Sequence, residues 1–394
     1  MRTLINNKLV EIHNIIADRK NNSHYGLLGG SLGEVLFLFY FGELIRKENV
    51  AVIATQRLED TIKTINSSKN VLFSFGNGIS GLLWVMYHLN KCSYLTFDIN
   101  NFNKYDRLIK ETMNDKLTIG LYDYLHESLG MYLMFLSRND NDPEILDFVC
   151  KMDTIKINCD LNMGIGWEYY LRSADRMVIN LGMSHGLSSI IAILSKGYKV
   201  NSNSLTKELI IESIKCLLSA KSSTQNNSIF PNHVFKNAKP ISNKSSESRL
   251  AWCYGDLGIS VALWHASQAL GRKDWEQEAI DTILHASKRR GLVENGVVDA
   301  GLCHGTAGIA HIFNRMYGYT GLEELKEASN YWFAETLKMA RFEDGLAGFK
   351  AWQGNERGWV NEPGLLEGIA GIGLALISAV SDIEPAWDEC LLLS

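Results

Sequence analysis

At 394 residues and a net charge of −5, with no long basic run, the chain lacks the footprint of a nucleic-acid binder. Its composition, 46% hydrophobic and 21% charged with only 5 prolines, is that of a folded globular protein. No apolar stretch reaches the ~18 residues of a membrane span, and Met1-Arg2-Thr3-Leu4 opens a polar amphipathic segment rather than a signal peptide. Seven scattered cysteines, an odd number, read as free thiols in a reducing cytosol.

Leu4 to Lys20 reads as a first helix, with Leu9, Ile12 and Ile16 on one face. Gly26 to Phe41 is glycine-rich at its start and then almost wholly apolar, the pattern of a helix buried all round. The alternation continues with amphipathic Val52 to Ile65, apolar Gly76 to Leu89, amphipathic Tyr105 to Met113 and apolar Tyr124 to Leu136. Arg138 to Pro143 is a polar turn, and the segment up to Asn180 reads as an outer helix plus an excursion. Leu181 to Ser195 and Leu205 to Ala220 form the next pair. Lys221 to Glu247, rich in Ser and Asn with Pro231 and Pro240, reads as a long surface loop. Cys253 to Leu270, Trp275 to Arg289, Cys303 to Tyr317, Leu322 to Leu337 and Leu365 to Ala379 complete the set.

The apolar helices open on one recurring frame. Its clearest copies are Cys303-His304-Gly305-Thr306-Ala307-Gly308 and Cys253-Tyr254-Gly255-Asp256-Leu257-Gly258. Weaker copies start at Gly30, Gly78 and Gly368, and degenerate ones at Glu127 and Gly186. A period near 50 residues accommodates two helices, so seven apolar helices wrapped by seven amphipathic ones are expected within one domain spanning residues 1–394. For most copies the glycines serve close packing. Glu127 and Ser189 stand where the frame has glycine, which predicts looser packing there.

Equivalent slots should face one central place. The slot two before the first frame position holds Leu28, Gly76, Leu125, Ser184, Cys253, Cys303 and Leu366. The next slot holds Gly29, Asn77, His126, His185, Tyr254, His304 and Glu367. A lone cysteine would read as a small buried hydrophobe. Two in the same slot of neighbouring repeats, one followed by histidine, read instead as zinc ligands: Cys253, Cys303 and His304, with an open fourth position. Two thiolates make zinc a weak Lewis acid but keep an incoming thiol nucleophilic, which favours sulfur chemistry over water activation. His185 is the best general acid/base, with His126 a weaker candidate. Asp123, four before Glu127, either orients a neighbouring imidazole or caps its helix. Arg249 lies four before Cys253, and Tyr254 adds a hydroxyl beside it.

These motifs resemble the lanthionine synthetase C family of cyclases. Trp252-Cys253-Tyr254-Gly255 and Cys303-His304-Gly305 are the most specific, supported by Leu181 to Gly186, Gly364 to Gly368 and Tyr122-Asp123. The resemblance implies an all-α, α/α toroid of seven inner and seven outer helices. It implies Zn²⁺ on Cys253, Cys303 and His304, and active-site positions at His185, Asp123, Arg249 and Tyr254. It also implies a dehydrated precursor peptide as substrate, whose cysteine thiols add to dehydroalanine or dehydrobutyrine to give lanthionine or methyllanthionine. No dehydratase domain is attached, so a separate dehydratase is an expected partner, together with an exporter. The implied location is the cytoplasm, peripheral at the membrane in a synthetase complex. Arg138 to Asn180 is short for the extra lobe that some cyclases insert. The rival from another class is a glutathione- or thiol-binding scaffold without cyclase activity. Turnover by the isolated protein separates the two.

Overall fold

Helices of two kinds alternate along the chain. The structure is a computed structural model and describes residues 1–19, 24–98, 102–138, 143–159, 163–222, 227–234 and 247–394. The middle of the expected polar loop, with Pro240, and most of the expected turn before Pro143 lie outside the described residues. Helix α1 (Arg2–Asp18) buries Ile5, Leu9, Ile12 and Ile16, the stripe that a 3.6-residue period puts on one side. Helix α2 (Ser31–Ile45) buries every residue from Ser31 to Gly42. The alternation repeats with α3 (Glu48–Ser67) and α4 (Ile79–Lys91), then α5 (Asn103–Thr118) and α6 (Ser128–Leu136). Helix α7 (Pro143–Ile155) precedes β1 (Ile157–Asn158), β2 (Ile165–Gly166), β3 (Glu168–Leu171) and β4 (Arg176–Asn180). Next come α8 (Leu187–Val200), α9 (Ser204–Ser219), β5 (His233–Val234), α10 (Asp256–Leu270) and α11 (Lys273–Ala286). The chain then runs through α12 (Thr306–Thr320), α13 (Glu323–Lys338), β6 (Ala351–Trp352), α14 (Gly354–Arg357), β7 (Trp359–Val360) and α15 (Ile369–Val380).

Each apolar helix begins later than its apolar run. The N-caps of α2, α4, α6, α8, α10, α12 and α15 are Gly30, Gly78, Glu127, Gly186, Gly255, Gly305 and Gly368, the first positions of the seven frames. The third residue before each cap, from Leu27 in the first copy to Leu365 in the last, is apolar and buried because the loop folds back over the helix's first turn. The second glycine makes room for that loop. A Cβ on Gly371 would lie 1.8 Å from Leu365 O, and one on Gly308 2.0 Å from Leu302 O. Close approach between neighbouring helices is therefore only part of what the frame glycines serve. Ser189 does not loosen its copy: it is fully buried and its Oγ donates to Gly186 O at 2.7 Å. Glu127 pairs with Lys116.

The chain comprises two compact units, one of Met1–Asp106 with Val297–Ser394 and one of Arg107–Gly296. In the first, α12 packs on α15, α15 on α2 and α2 on α4, with α13, α1 and α3 laid over them. Backbone hydrogen bonds register these helix starts against one another. Leu302 and Cys303 N–H both donate to Leu366 O, Leu365 and Leu366 N–H to Leu28 O, and Leu28 N–H to Gly76 O, at 2.8–3.0 Å. In the second unit α6 packs on α8 and α8 on α10, and Met183 N–H donates to Cys253 O at 2.9 Å. The shared slots read from sequence are thus joined copy to copy by main chain in the first unit, and from Ser184 to Cys253 in the second.

The far end of the first unit is closed by a 3₁₀ turn, Ala386–Leu391, which buries Trp387, Asp388 and Cys390. Asp388 accepts from His311 Nε2 and from Arg315 Nε and Nη2, each at 2.9 Å. Burial pushes its carboxyl up, but these partners outweigh burial and bring its pKa down to about 2.

The outer helix and the excursion expected before Asn180 are α7 and two small hairpins, the second pairing Glu168 to Leu171 antiparallel with Arg176 to Ile179. Two expectations need correction. The polar loop is not all surface: Ser228, Ile229 and Phe230 are buried, and Ile229 and Phe230 N–H donate to Asp256 at 3.0–3.1 Å. The cysteines are not all free thiols, since Cys159 and Cys216 form a disulfide. Cys159 N–H donates to Gly164 O, and the Cα atoms of Cys159 and Cys216 lie 6.3 Å apart, within bridging span.

Candidate active site

His185 sits in the turn ahead of α8, immediately before the N-cap Gly186. Its Nδ1 lies 2.5 Å from Asp123 Oδ2. A carboxylate accepts, so Nδ1 carries the proton and Nε2 is left to exchange one with a reactant. The other oxygen of Asp123 accepts from Leu125 and His126 N–H, both at 2.9 Å. The two readings of Asp123 are therefore not alternatives: one oxygen caps the turn before α6 and the other orients the imidazole. His185 and Asp123 are partly exposed, at 24% and 16%, so the pair is open to a ligand. The N-terminus of α8 adds partial positive charge, which favours anionic intermediates nearby.

Two rings flank the imidazole. That of His126, an exposed residue, is 6.1 Å away and tilted by 27°, and that of Tyr169 is 6.0 Å away at the same tilt. Tyr169 comes from β3, outside the repeat, and sequence reasoning missed it. Burial, reinforced by Asp123, raises the pKa of its phenol.

Cys253 and Tyr254 stand beside His185 in the same unit. Cys253 is buried, and its carbonyl accepts from Met183 N–H at 2.9 Å. Tyr254 OH accepts from Asn180 Nδ2 at 3.2 Å, and burial pushes its phenol up. Gly182 is required here, because a Cβ would lie 2.4 Å from Cys253 O and 2.7 Å from the Tyr254 ring. Arg249 is exposed. It occupies the place six before the helix cap where other copies have Asn180, Asp299 and Glu362, each accepting from the N–H two residues on. That recurring polar turn is a second signal carried by the sequence.

Cys303 and His304 belong to the other unit, in the turn before α12, and both are half-buried. Glu367 fills the slot of His304 in the turn before α15, where burial raises its pKa and Asp299 adds to the rise. Among the described residues no three His, Cys, Asp or Glu side chains lie close enough together to hold a metal ion. The donors at the frame slots, two thiols and an imidazole, are soft and match zinc by type.

A solved structure of nisin cyclase matches 98% of this chain and 97% of its own, with a TM-score of 0.75 at 18% identity. The fold is accordingly an α/α toroid, in which the apolar helices form the inner layer and the amphipathic ones the outer. Nisin biosynthesis protein NisC of Lactococcus lactis subsp. lactis is 24% identical over 434 residues, spanning 100% of this chain and 97% of its own. The model of the lanthionine synthetase C-like protein family matches residues 23–392. The chain belongs to that family. Among the described residues no helix is long and apolar enough to cross a membrane.

Proposed function

We propose that the chain is a lanthipeptide cyclase. It adds cysteine thiols of a precursor peptide to dehydroalanine or dehydrobutyrine, forming lanthionine or methyllanthionine thioethers. A separate dehydratase prepares that peptide. The observation that carries this reading is the Asp123–His185 pair at the start of α8, beside Cys253 and Tyr254, in a member of this family.

Cys253, Cys303 and His304 would hold Zn²⁺, which when bound lowers the pKa of an incoming thiol while leaving its sulfur nucleophilic. In the addition, the thiol gives up its proton, sulfur bonds to the β-carbon, and the α-carbon side becomes an enolate that must take a proton. His185 Nε2 is the group that accepts and delivers protons here, with Asp123 holding the ring and stabilising the imidazolium. The Tyr254 phenol, kept protonated by burial, is a second donor. The exposed cation of Arg249 faces solvent, where an approaching peptide can meet it.

The test is turnover by the isolated protein. A dehydrated precursor is incubated with it, remaining thiols are alkylated, and rings are scored by mass spectrometry. A folded, zinc-loaded protein that leaves every thiol alkylatable would overturn the cyclase and leave a thiol-binding scaffold.

Metal content is checked separately. About one zinc per chain is expected, and Cys303→Ala should lose most of it, because a three-ligand site cannot spare a thiolate. Elemental analysis that finds no zinc in protein prepared without chelators would remove the ligand assignment.

A further inference from the structure

We propose that Tyr122 and Tyr169 are positioning residues for His185, and that the β3–β4 hairpin is the part built to hold that imidazole in its working orientation. The proposal rests on the cyclase reading for its rate effects but not for its geometry.

A single hydrogen bond from Nδ1 to Asp123 fixes one edge of the ring. It leaves the ring free to swing about that bond unless a face is packed. His126 is exposed and makes a poor wall, whereas Tyr169 is half-buried and held in a strand, where it pairs with Val178. Tyr169 is thus the ring that limits the swing.

The strand is fixed by the residue next to Asp123. Tyr122 is buried, and its hydroxyl donates to Glu168 O at 3.0 Å and to Trp167 O at 3.3 Å, at the start of β3. Burial pushes the Tyr122 phenol up, so it remains a donor. The dipeptide Tyr122-Asp123 therefore holds both the edge of the imidazole and the strand that carries the ring against its face. A circuit closes from Asp123 through His185, Tyr169 and Glu168 to Tyr122, entirely within one unit. On the far side, Trp167 is buried with its Nε1 donating to Met152 O of α7 at 3.0 Å, which seats the hairpin on the outer layer.

Three variants test this: Tyr169→Ala, Tyr169→Phe and Tyr122→Phe. Two readouts are used, steady-state cyclisation of a dehydrated peptide and the NMR signal of the His185 ring in peptide-free protein labelled at histidine. The signal is assigned by its loss in His185→Ala. Tyr169→Ala should shift the His185 signal, because the neighbouring ring current is gone. It should also lower kcat roughly ten- to hundredfold with KM little changed, since small misplacements of a reacting group cost that much. Tyr122→Phe should broaden the signal and lower kcat in the same direction. Tyr169→Phe should restore both, since it keeps the ring and drops only the hydroxyl.

An unchanged His185 signal in Tyr169→Ala would overturn the proposal, even if activity fell. So would a Tyr169→Phe variant as impaired as Tyr169→Ala, which would assign the hydroxyl rather than the ring. A His185 signal that responds as expected in a protein without turnover would uphold the positioning role and sink the cyclase reading instead.

Discussion

His185→Ala is expected to keep its fold and its zinc and to lose cyclisation by ~10²–10⁴-fold in rate. The fold survives because His185 lies partly exposed in a loop, and its backbone role does not depend on the ring. Zinc survives because the proposed ligands are Cys253, Cys303 and His304, and Nδ1 of His185 is committed to Asp123. The rate falls because the enolate loses its proton donor and the thiol its proton acceptor. Ring formation scored by alkylation and mass spectrometry, with zinc measured in parallel, decides the matter. A folded, zinc-loaded, fully active variant would move the proton work to Tyr254 or to water. A variant that lost zinc would make His185 a ligand.

Asp388→Asn is expected to be the most destabilising change away from the site. Asp388 is fully buried and holds His311 and Arg315 of α12. Removing its charge leaves a buried guanidinium short of a partner, which costs about 3–5 kcal/mol. The pH dependence follows from the lowered pKa. The carboxyl sits at about 2 in the folded protein and near 4 in an unfolded chain. Its contribution is therefore complete above pH ~4 and is lost as pH falls toward 2. The stability gap between wild type and Asp388→Asn, measured by urea unfolding, should be full at pH 7 and narrow at pH 3. Equal stability at pH 7 would show that the C-terminal turn does not depend on this charge.

The helices were legible because each apolar residue had a periodic reason to be where it is. Leu9, Ile12 and Ile16 recur at helical spacing, and α2 is apolar without a break from Val35 to Phe41. The frame glycines were legible too, and the position chosen as the first of each copy is the helix cap in all seven. The hairpin that carries Tyr169 was not legible. Four residues, Glu168 to Leu171, are too few to establish a strand period, and their partner strand is known only once the chain is folded. Ile229 and Phe230 were hidden by polar neighbours, since average polarity says nothing of the two residues that Asp256 draws inside. The pairing of Cys159 with Cys216, 57 residues apart, could not be deduced from spacing. His185 and Asp123, 62 residues apart, were both candidates by frame position, but their contact is a property of the fold.

The first unit has a consequence for synthesis on the ribosome. It is discontinuous: α2 and α4 precede residues 107–296, while α12 and α15 follow them. Leu365 and Leu366 N–H reach back to Leu28 O, and Gly373 packs against the Phe37 ring of α2. While the contiguous second unit is being made, α2 has nothing to cover the face that α15 will take. At 5–20 residues per second that interval is roughly ten to forty seconds. The second unit is then the piece that can fold first, and the amino-terminal helices must stay soluble until the carboxy-terminal ones emerge. Protease sensitivity confined to residues 1–106 in a chain stalled near residue 300 would show this order. Full protection of that segment at the same stage would show that α2 finds another cover.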